Sequence, residues 1–376
     1  MLNKNKKENR KIDRVVIENF KSIRRADIEL RDINILIGPN GVGKSNFINF
    51  FKMLNSFVER GLQNFVIREG GGDNILYFGS KESEYLFGDV YFQKNRYEFK
   101  LIPTMEDRLV FEYEKVYFSY ENMWKYDIIS ENKEESGLRD ASEKEGIMGG
   151  RSKSYYVYNA MSTWRVYHFH DSSPEAPARK FNNIEDNRFL KYNGANLSAF
   201  LYMLSRRYPA HFDIIEKSFK AVTPFFDRFI IEPDRINPQL VKLEWRHIDS
   251  DKHFNISHLS DGSFRLLCLL TLFYQPDEFL PSTIIIDEPE LGLHPAAINL
   301  ISEIIQKMSH KVQFIISTQS PQFISNFQPE HIIVADYDRR ERSTIFKRYT
   351  EEDLEIWLRD YSLGEIWQKN ILGGRP

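Results

Sequence analysis

The run Gly-Pro-Asn-Gly-Val-Gly-Lys-Ser at residues 38–45 fits the pattern G-x-x-x-x-G-K-[ST] at every position. It follows the apolar run 33–37 and precedes a helical pattern from Asn46, so strand, loop and helix stand in the order that a phosphate-binding loop needs. In that order the glycines let backbone N–H groups fold round a triphosphate, and the helix N-terminus adds positive potential. Asn40, Gly41, Val42 and Gly43 supply backbone to the phosphates, Lys44 reaches the β- and γ-phosphates, and Ser45 takes a place on Mg2+, with Asn46 next in the helix. A glycine-rich turn is sometimes only structural, but that reading leaves the terminal Lys-Ser to chance. The run implies a site for ATP or GTP.

Working outward, Phe47, Phe50, Phe51, Leu54, Phe57 and Val58 recur at helical spacing, and Gly61 marks a stop. Residues 14–17 and 26–30 read as two strands leading into the phosphate-loop strand. Between Tyr85 and Tyr120 aromatic-rich alternation predicts antiparallel strands. Residues 130–153 are polar and glycine-rich and read as a loop. A helix is expected over 196–218, closed by the prolines at 224, 233 and 238. In the last third, apolar runs at 283–286, 313–317 and 331–334 alternate with a helix face of Ile298, Ile301, Ile304, Ile305 and Met308, which predicts a mainly parallel sheet covered by helices. No sustained heptads call for a long coiled-coil arm.

The chain of 376 residues, 41% hydrophobic, is long enough for a large core carrying an inserted lobe. Its net charge of −3 gives no global pull toward nucleic acid, and the basic segment from Lys4 to Lys11 reads as a solvated tail. The single cysteine, Cys268, excludes an internal disulfide and a cysteine-rich zinc site, and reads as a buried hydrophobe. No apolar run approaches the roughly 18–20 residues of a membrane span, and the first residues lack a signal-peptide stretch. The expectation is a soluble, cytoplasmic protein with no membrane partner.

A second motif is Ile284-Ile285-Ile286-Asp287-Glu288-Pro289. A strand that delivers two acids at its end suits a nucleotide site, with Asp287 on Mg2+ and Glu288 orienting and polarising the water that attacks the γ-phosphate. About 240 positions separate Lys44 from Asp287, too many for a compact nucleotide kinase or small GTPase by ordinary domain size. A third motif, Leu259-Ser260-Asp261-Gly262-Ser263, opens an apolar helix just upstream.

The order of phosphate loop, long insertion, LS-x-G helix and Asp-Glu strand resembles the ABC-type ATPase heads. It is most similar to the RecF, SMC and OLD groups and to the stand-alone ATPases of bacterial genomes. The resemblance extends over 17–22 (Ile-Glu-Asn-Phe-Lys-Ser), the glycines at 70–72 leading into 74–79, the run 192–197, Leu291-Gly292-Leu293-His294-Pro295, and Gly364-Glu365-Ile366-Trp367. It implies an α/β fold: a P-loop head with a mainly parallel core sheet, an antiparallel β lobe and an inserted helical lobe. The implied division is an ATPase core at 12–130 and 255–350, an inserted loop and helical lobe at 131–254, and a helical tail at 351–376.

In such heads two protomers sandwich two nucleotides, so the resemblance implies a homodimer in which Ser260, Asp261 and Gly262 meet the partner's γ-phosphate. It favours ATP with Mg2+ as the cofactors. Two departures stand out. The third and fifth places of the usual LSGGQ hold Asp261 and Ser263, and Gln319 stands where a switch histidine is usual; glutamine hydrogen-bonds a phosphate but carries no proton or charge. Gln63 is a candidate for the glutamine that usually follows the first helix. The resemblance implies an ATPase regulating a separately encoded effector, as in phage defence. A RecF-like DNA-binding repair ATPase and a switch or scaffold with little turnover are the alternatives.

Two further patterns imitate other chemistry. Asp336-Tyr337-Asp338 looks like the metal pair of a nuclease domain, but only about 38 residues follow it, too few for such a domain at ordinary element lengths. His168 and His170 lie on one face of a strand without a third ligand nearby, and read as structural. The apolar stripe of Leu354, Trp357, Leu358, Tyr361, Ile366 and Trp367 packs on the core in one reading and docks a partner in the other.

Overall fold

A computed structural model of the chain describes residues 10–121, 123–144, 151–169, 171 and 176–374. The chain opens with strands β1 (Arg14–Phe20), β2 (Ile23–Glu29) and β3 (Ile33–Ile37), then helices α1 (Lys44–Glu59) and α2 (Leu62–Arg68). Strands β4 (Leu86–Phe92), β5 (Asn95–Pro103), β6 (Leu109–Tyr120) and β7 (Met123–Lys133) precede helices α3 (Leu138–Ser142) and α4 (Lys153–Met161) and strand β8 (Trp164–Tyr167). The middle holds β9 (Asn182–Asn183), α5 (Leu197–Arg207), α6 (Pro209–Val222), β10 (Phe226–Pro233), β11 (Leu240–His247) and β12 (His253–Asn255). The last third holds α7 (Asp261–Tyr274), β13 (Thr283–Asp287), α8 (Pro295–Met308), β14 (Gln313–Ser317), α9 (Pro321–Ile324), β15 (Ile332–Asp338), β16 (Ser343–Arg348), α10 (Glu351–Leu358) and α11 (Leu363–Gln368).

The core sheet has the order β16-β15-β3-β14-β13-β8 and is parallel except for β16. Its strands are apolar almost throughout because both faces are covered, as parallel sheets require. Strand alternation divides the side chains. Ile33, Ile35, Ile37, Ile284, Ile286, Phe314 and Ile316 join one core with α5, α7 and α8, while Leu36, Ile285, Ile315 and Ile333 join a second with α1 and the β lobe. In α1, Phe47, Phe50, Phe51, Leu54 and Phe57 are at most 1% exposed, each such burial contributing about 1.5–3 kcal/mol before chain entropy is counted. The helix ends on Arg60 in the left-handed region (φ 55°) rather than on Gly61.

Three local expectations change. The strands β1 and β2 pair with each other and with β4 in the antiparallel sheet β2-β1-β4-β5-β6-β7, not with the phosphate-loop strand. The segment 130–153 is not one loop: its start belongs to β7, and Leu138–Ser142 and Lys153–Met161 are helical, with 145–150 outside the described residues. The expected helix at 196–218 breaks at Tyr208, where Pro209 starts α6, because proline suits the first turn of a new helix and not the interior of an old one. The middle also contains an antiparallel sheet, β10-β11-β12 with β9 on β11, that the sequence pattern did not announce.

Candidate active site

Open α/β sheets place ligands at the carboxyl ends of their strands, and the phosphate loop, the Asp287-Glu288 pair and the segment 317–320 reach that edge from neighbouring strands. β3 is flanked by β15 and β14, and β14 by β13. The loop after β3 is shaped by glycine at two tight places. A Cβ on Gly38 (φ 150°) would lie 2.3 Å from the Ala335 carbonyl oxygen, and one on Gly43 (φ 112°) would lie 2.3 Å from Thr344 Oγ1 and 2.6 Å from Ser22 Oγ. Those two hydroxyls brace the loop from behind. Thr344 Oγ1 donates to the Val42 carbonyl (2.7 Å) and lies 2.7 Å from Ser22 Oγ, which accepts from Asn46 Nδ2 (2.7 Å).

Gly43 caps α1 without a side chain, so the first-turn N–H groups of Lys44, Ser45 and Asn46 are left for an acceptor outside the helix, the arrangement that favours an anion. Lys44 is buried and its Nζ donates to the carbonyls of Gly38 (2.6 Å) and Pro39 (2.9 Å). Burial pushes its pKa down, while the nearby carboxylates Glu288 and Asp287 pull it up. Ser45 is exposed at the helix start.

β13 and β14 run parallel with Asp287 opposite Ser317, and the Ser317 hydroxyl donates to Asp287 Oδ1. Glu288 has a left-handed backbone (φ 46°), a conformation that costs a non-glycine residue on the order of 1 kcal/mol and must be held by its surroundings. Its N–H donates to the Ser317 carbonyl (2.8 Å), and its Oε1 accepts from Gln319 Nε2. Lys44, Asp287, Glu288 and Gln319 thus come together at one edge. For Mg2+, Ser45 and Asp287 offer two oxygens, and the described residues contain no group of three or more acidic, histidine or cysteine side chains able to hold a metal. That donor set fits a cation that takes its remaining oxygens from phosphate and water.

The LS-x-G segment makes different contacts. Ser260 caps α7, its Oγ accepting from Ser263 N (3.2 Å). Asp261 takes a hydrogen bond from Arg179 (3.1 Å), whose side chain is 2% exposed. Arg179 also donates to the carbonyls of Ile256, Ser257 and Leu259 (3.1 Å each) and lies over the Phe264 ring. Gly262 packs on the loop after β13, and Arg265 of the same helix donates to the Leu291 carbonyl there (2.7 Å). Among the described residues, the hydrogen bonds of Ser260 and Asp261 go to these neighbours and not to residues 38–46.

A family model described as "AAA domain, putative AbiEii toxin, Type IV TA system" matches residues 33–325, more than three quarters of the chain. The chain belongs to this AAA-domain family of P-loop ATPases. Its fold is that of SMC heads. The head bound to the C-winged helix domain of ScpA superposes with a TM-score of 0.59 at 16% identity, over 92% of this chain and 99% of that one. The Smc head with an extended coiled coil bound to the C-terminal domain of ScpA, from Pyrococcus furiosus, gives 0.52 at 16% identity, over 93% and 98%. No curated protein matches the chain.

Within this AAA-domain chain several residues have plain structural work. Gln63 donates to the carbonyls of Leu109 and Glu134. Asp336 and Asp338 close the β15–β16 hairpin, accepting backbone N–H groups of Tyr337, Arg340 and Glu341. The backbone N–H of His168 donates to the Tyr192 carbonyl; His170 lies outside the described residues, as do residues 4–9 of the basic segment. Lys11, at its end, pairs with Asp32 (2.6 Å). Cys268 is fully buried, and burial pushes its thiol up to about 12. No helix among the described residues is long and apolar enough to cross a membrane. A polar cleft of about 550 Å³ lined by Lys21, Asn46, Asp73, Asn74 and Phe78 adjoins the start of α1.

Sequence reading missed Thr344, Thr318, Glu290 and Arg179. None lies in a recognisable motif of its own, and Thr344 is some 300 residues from the loop that it braces. The only signal was position: Glu290 stands two residues beyond Glu288, and Thr318 one before Gln319.

Proposed function

We propose that the chain binds ATP with Mg2+ and hydrolyses it in a head-to-head homodimer, and that closing and opening of this dimer regulates a separately encoded effector. The observation that carries the reading is the meeting of Lys44, Asp287, Glu288 and Gln319 at the carboxyl ends of adjacent strands. The loop 40–43 with Lys44 and Ser45 binds the phosphates, and Ser45 and Asp287 hold the cation, which when bound neutralises charge between the phosphates. Glu288 orients and deprotonates water, and Gln319 fixes Glu288 and meets the γ-phosphate. Ser260, with its hydroxyl at the start of α7, acts on the facing protomer's nucleotide, and Asp261 and Gly262 shape that surface. The SMC heads above were solved with a ScpA domain bound, in keeping with a protein partner for this fold.

One observation favours slow turnover. An oxygen of Glu288 is engaged by Gln319, which supplies no proton of its own, so the rate is expected low unless closure releases that bond.

Complementation tests the dimer. Lys44→Ala removes the main neutralising charge for the phosphates, and Ser260→Arg fills the facing site; each alone is expected inactive. A mixture pairs one intact phosphate loop with one intact signature helix, and partial ATP turnover returns. Full turnover by a strictly monomeric protein would overturn the arrangement.

A further inference from the structure

Three residues past Asp287, Glu290 is a carboxyl group inside the protein, 7% exposed. Its Oε1 accepts from the Thr318 hydroxyl, and its Oε2 is buried and makes no hydrogen bond among the described residues. Thr318 is fully buried. Its N–H donates to the Leu36 carbonyl of β3 (3.0 Å), and its Oγ1 accepts the N–H of Ser320 (3.0 Å). Ser320 in turn caps the short helix α9 through Phe323 N. Gln319, the residue between, reaches Glu288. One carboxyl therefore ties together the loop after β13 and the loop after β14.

We propose that Glu290 is a positioning residue: through Thr318 it latches the 317–320 loop to the loop after β13, and so sets how Gln319 meets Glu288. The proposal rests on the ATPase reading only for its catalytic consequence; the latch itself is a property of the protein without nucleotide.

The latch suits an uncharged group. A carboxylate here would bury charge next to Glu288 on the same loop, while the groups that face it, the Thr318 hydroxyl and the backbone N–H groups of Glu290 and Gln319, carry no charge. Burial is the main effect, and it pushes the Glu290 carboxyl up to about 7. A protonated Glu290 has the shape of glutamine, with one accepting and one donating atom. It differs in that respect from Glu288, whose chemistry needs the ionised form.

The variants Glu290→Gln, Glu290→Ala, Thr318→Val and the double variant Glu290→Ala/Thr318→Val separate the possibilities. In the nucleotide-free protein, Glu290→Ala and Thr318→Val are expected to speed hydrogen exchange at the amides of Gln319, Ser320, Gln322 and Phe323, and Glu290→Gln to restore protection. In turnover assays, Glu290→Ala lowers kcat by roughly ten- to a hundredfold, the size of effect that a displaced catalytic group produces. KM and the affinity for a fluorescent ATP analogue stay as in wild type, Glu290→Gln recovers most of the loss, and the double variant is no worse than the worse single one. Unchanged exchange at 319–323 in Glu290→Ala, or a glutamine variant as defective as the alanine one, overturns the latch. If wild type itself turns over no ATP, the hydrolysis reading fails while the exchange data still decide the latch.

Discussion

Gly262 lies so close to Gly292 that a Cβ added to it would sit 2.1 Å from the Gly292 carbonyl oxygen. The glycine of the LS-x-G segment is therefore required by its own chain, where it lets the first turn of α7 rest on the loop that follows Glu288. Arg265 ties the same turn to the Leu291 carbonyl. A displacement of the signature helix is thus felt three to four residues from the expected base. This gives a contiguous route between the face that would meet a partner and the side chains proposed to hydrolyse ATP.

Gly262→Ala is expected to cost about 1–3 kcal/mol of stability, because the obstacle is backbone and not the end of a flexible side chain. Denaturant unfolding measures it. A variant as stable as wild type would mean that the two segments part freely, and the coupling would lose its basis.

Arg179 and Asp261 are expected to contribute very unequally. Arg179→Met leaves three carbonyls without their donor in a buried place, at a cost of about 3 kcal/mol. Asp261 is 67% exposed, so Asp261→Ala costs less than about 1 kcal/mol. Equal losses in urea melts would show that the ion pair, not the carbonyl cluster, holds the helix start.

Glu290 predicts a pH dependence of stability. Its folded pKa, about 7, lies above the ordinary 4.5, so its favourable contribution is fully present below about pH 4.5 and is lost as pH rises through 7. The difference corresponds to about 3 kcal/mol at most. Glu290→Gln has no proton to lose. Relative to wild type it is expected to gain stability between pH 5 and pH 8 in the nucleotide-free protein. A difference between the two proteins that does not change with pH would mean that the carboxyl is already ionised at pH 5.

The C-terminal stripe divides between core and surface. Leu354, Ile366 and Trp367 are at most 3% exposed and Leu358 and Tyr361 pack partly buried against the core, whereas Trp357 is 42% exposed. Trp367 donates to the Gly374 carbonyl (2.6 Å), and Gly374 lies where an added Cβ would be 3.5 Å from Gly38 Cα at the start of the phosphate loop. Truncation after Thr350 is therefore expected to cost solubility or ATP binding, and Trp367→Ala alone about 3–5 kcal/mol. Trp357→Ala is expected to change stability by less than about 0.5 kcal/mol. A soluble truncated protein that binds ATP normally would show that the tail is not part of the core.

The local features of this fold were legible because they are contiguous. Residues 38–45 carry strand, loop and helix in one run, and 284–288 end an apolar strand in two acids. Gln319, singled out from its place after the next strand, bonds Glu288. What escaped was long-range. Nothing near Gly43 indicates that Thr344 closes behind it, or that Arg179 gathers the carbonyls before Ser260, since pairings over such separations leave no local period. Likewise β1 and β2 read correctly as strands but not as members of the antiparallel lobe, because their alternation is satisfied by either sheet.

Glu288 is proposed to act on water beside a nucleotide held by Lys44. ATP turnover by Glu288→Gln, measured alongside ATP binding by the same protein, tests it most directly. Retained binding, accumulation of a closed dimer and a rate lower by about 10²–10⁴, the usual contribution of a general base, are expected. Turnover at the wild-type rate in this variant would contradict it.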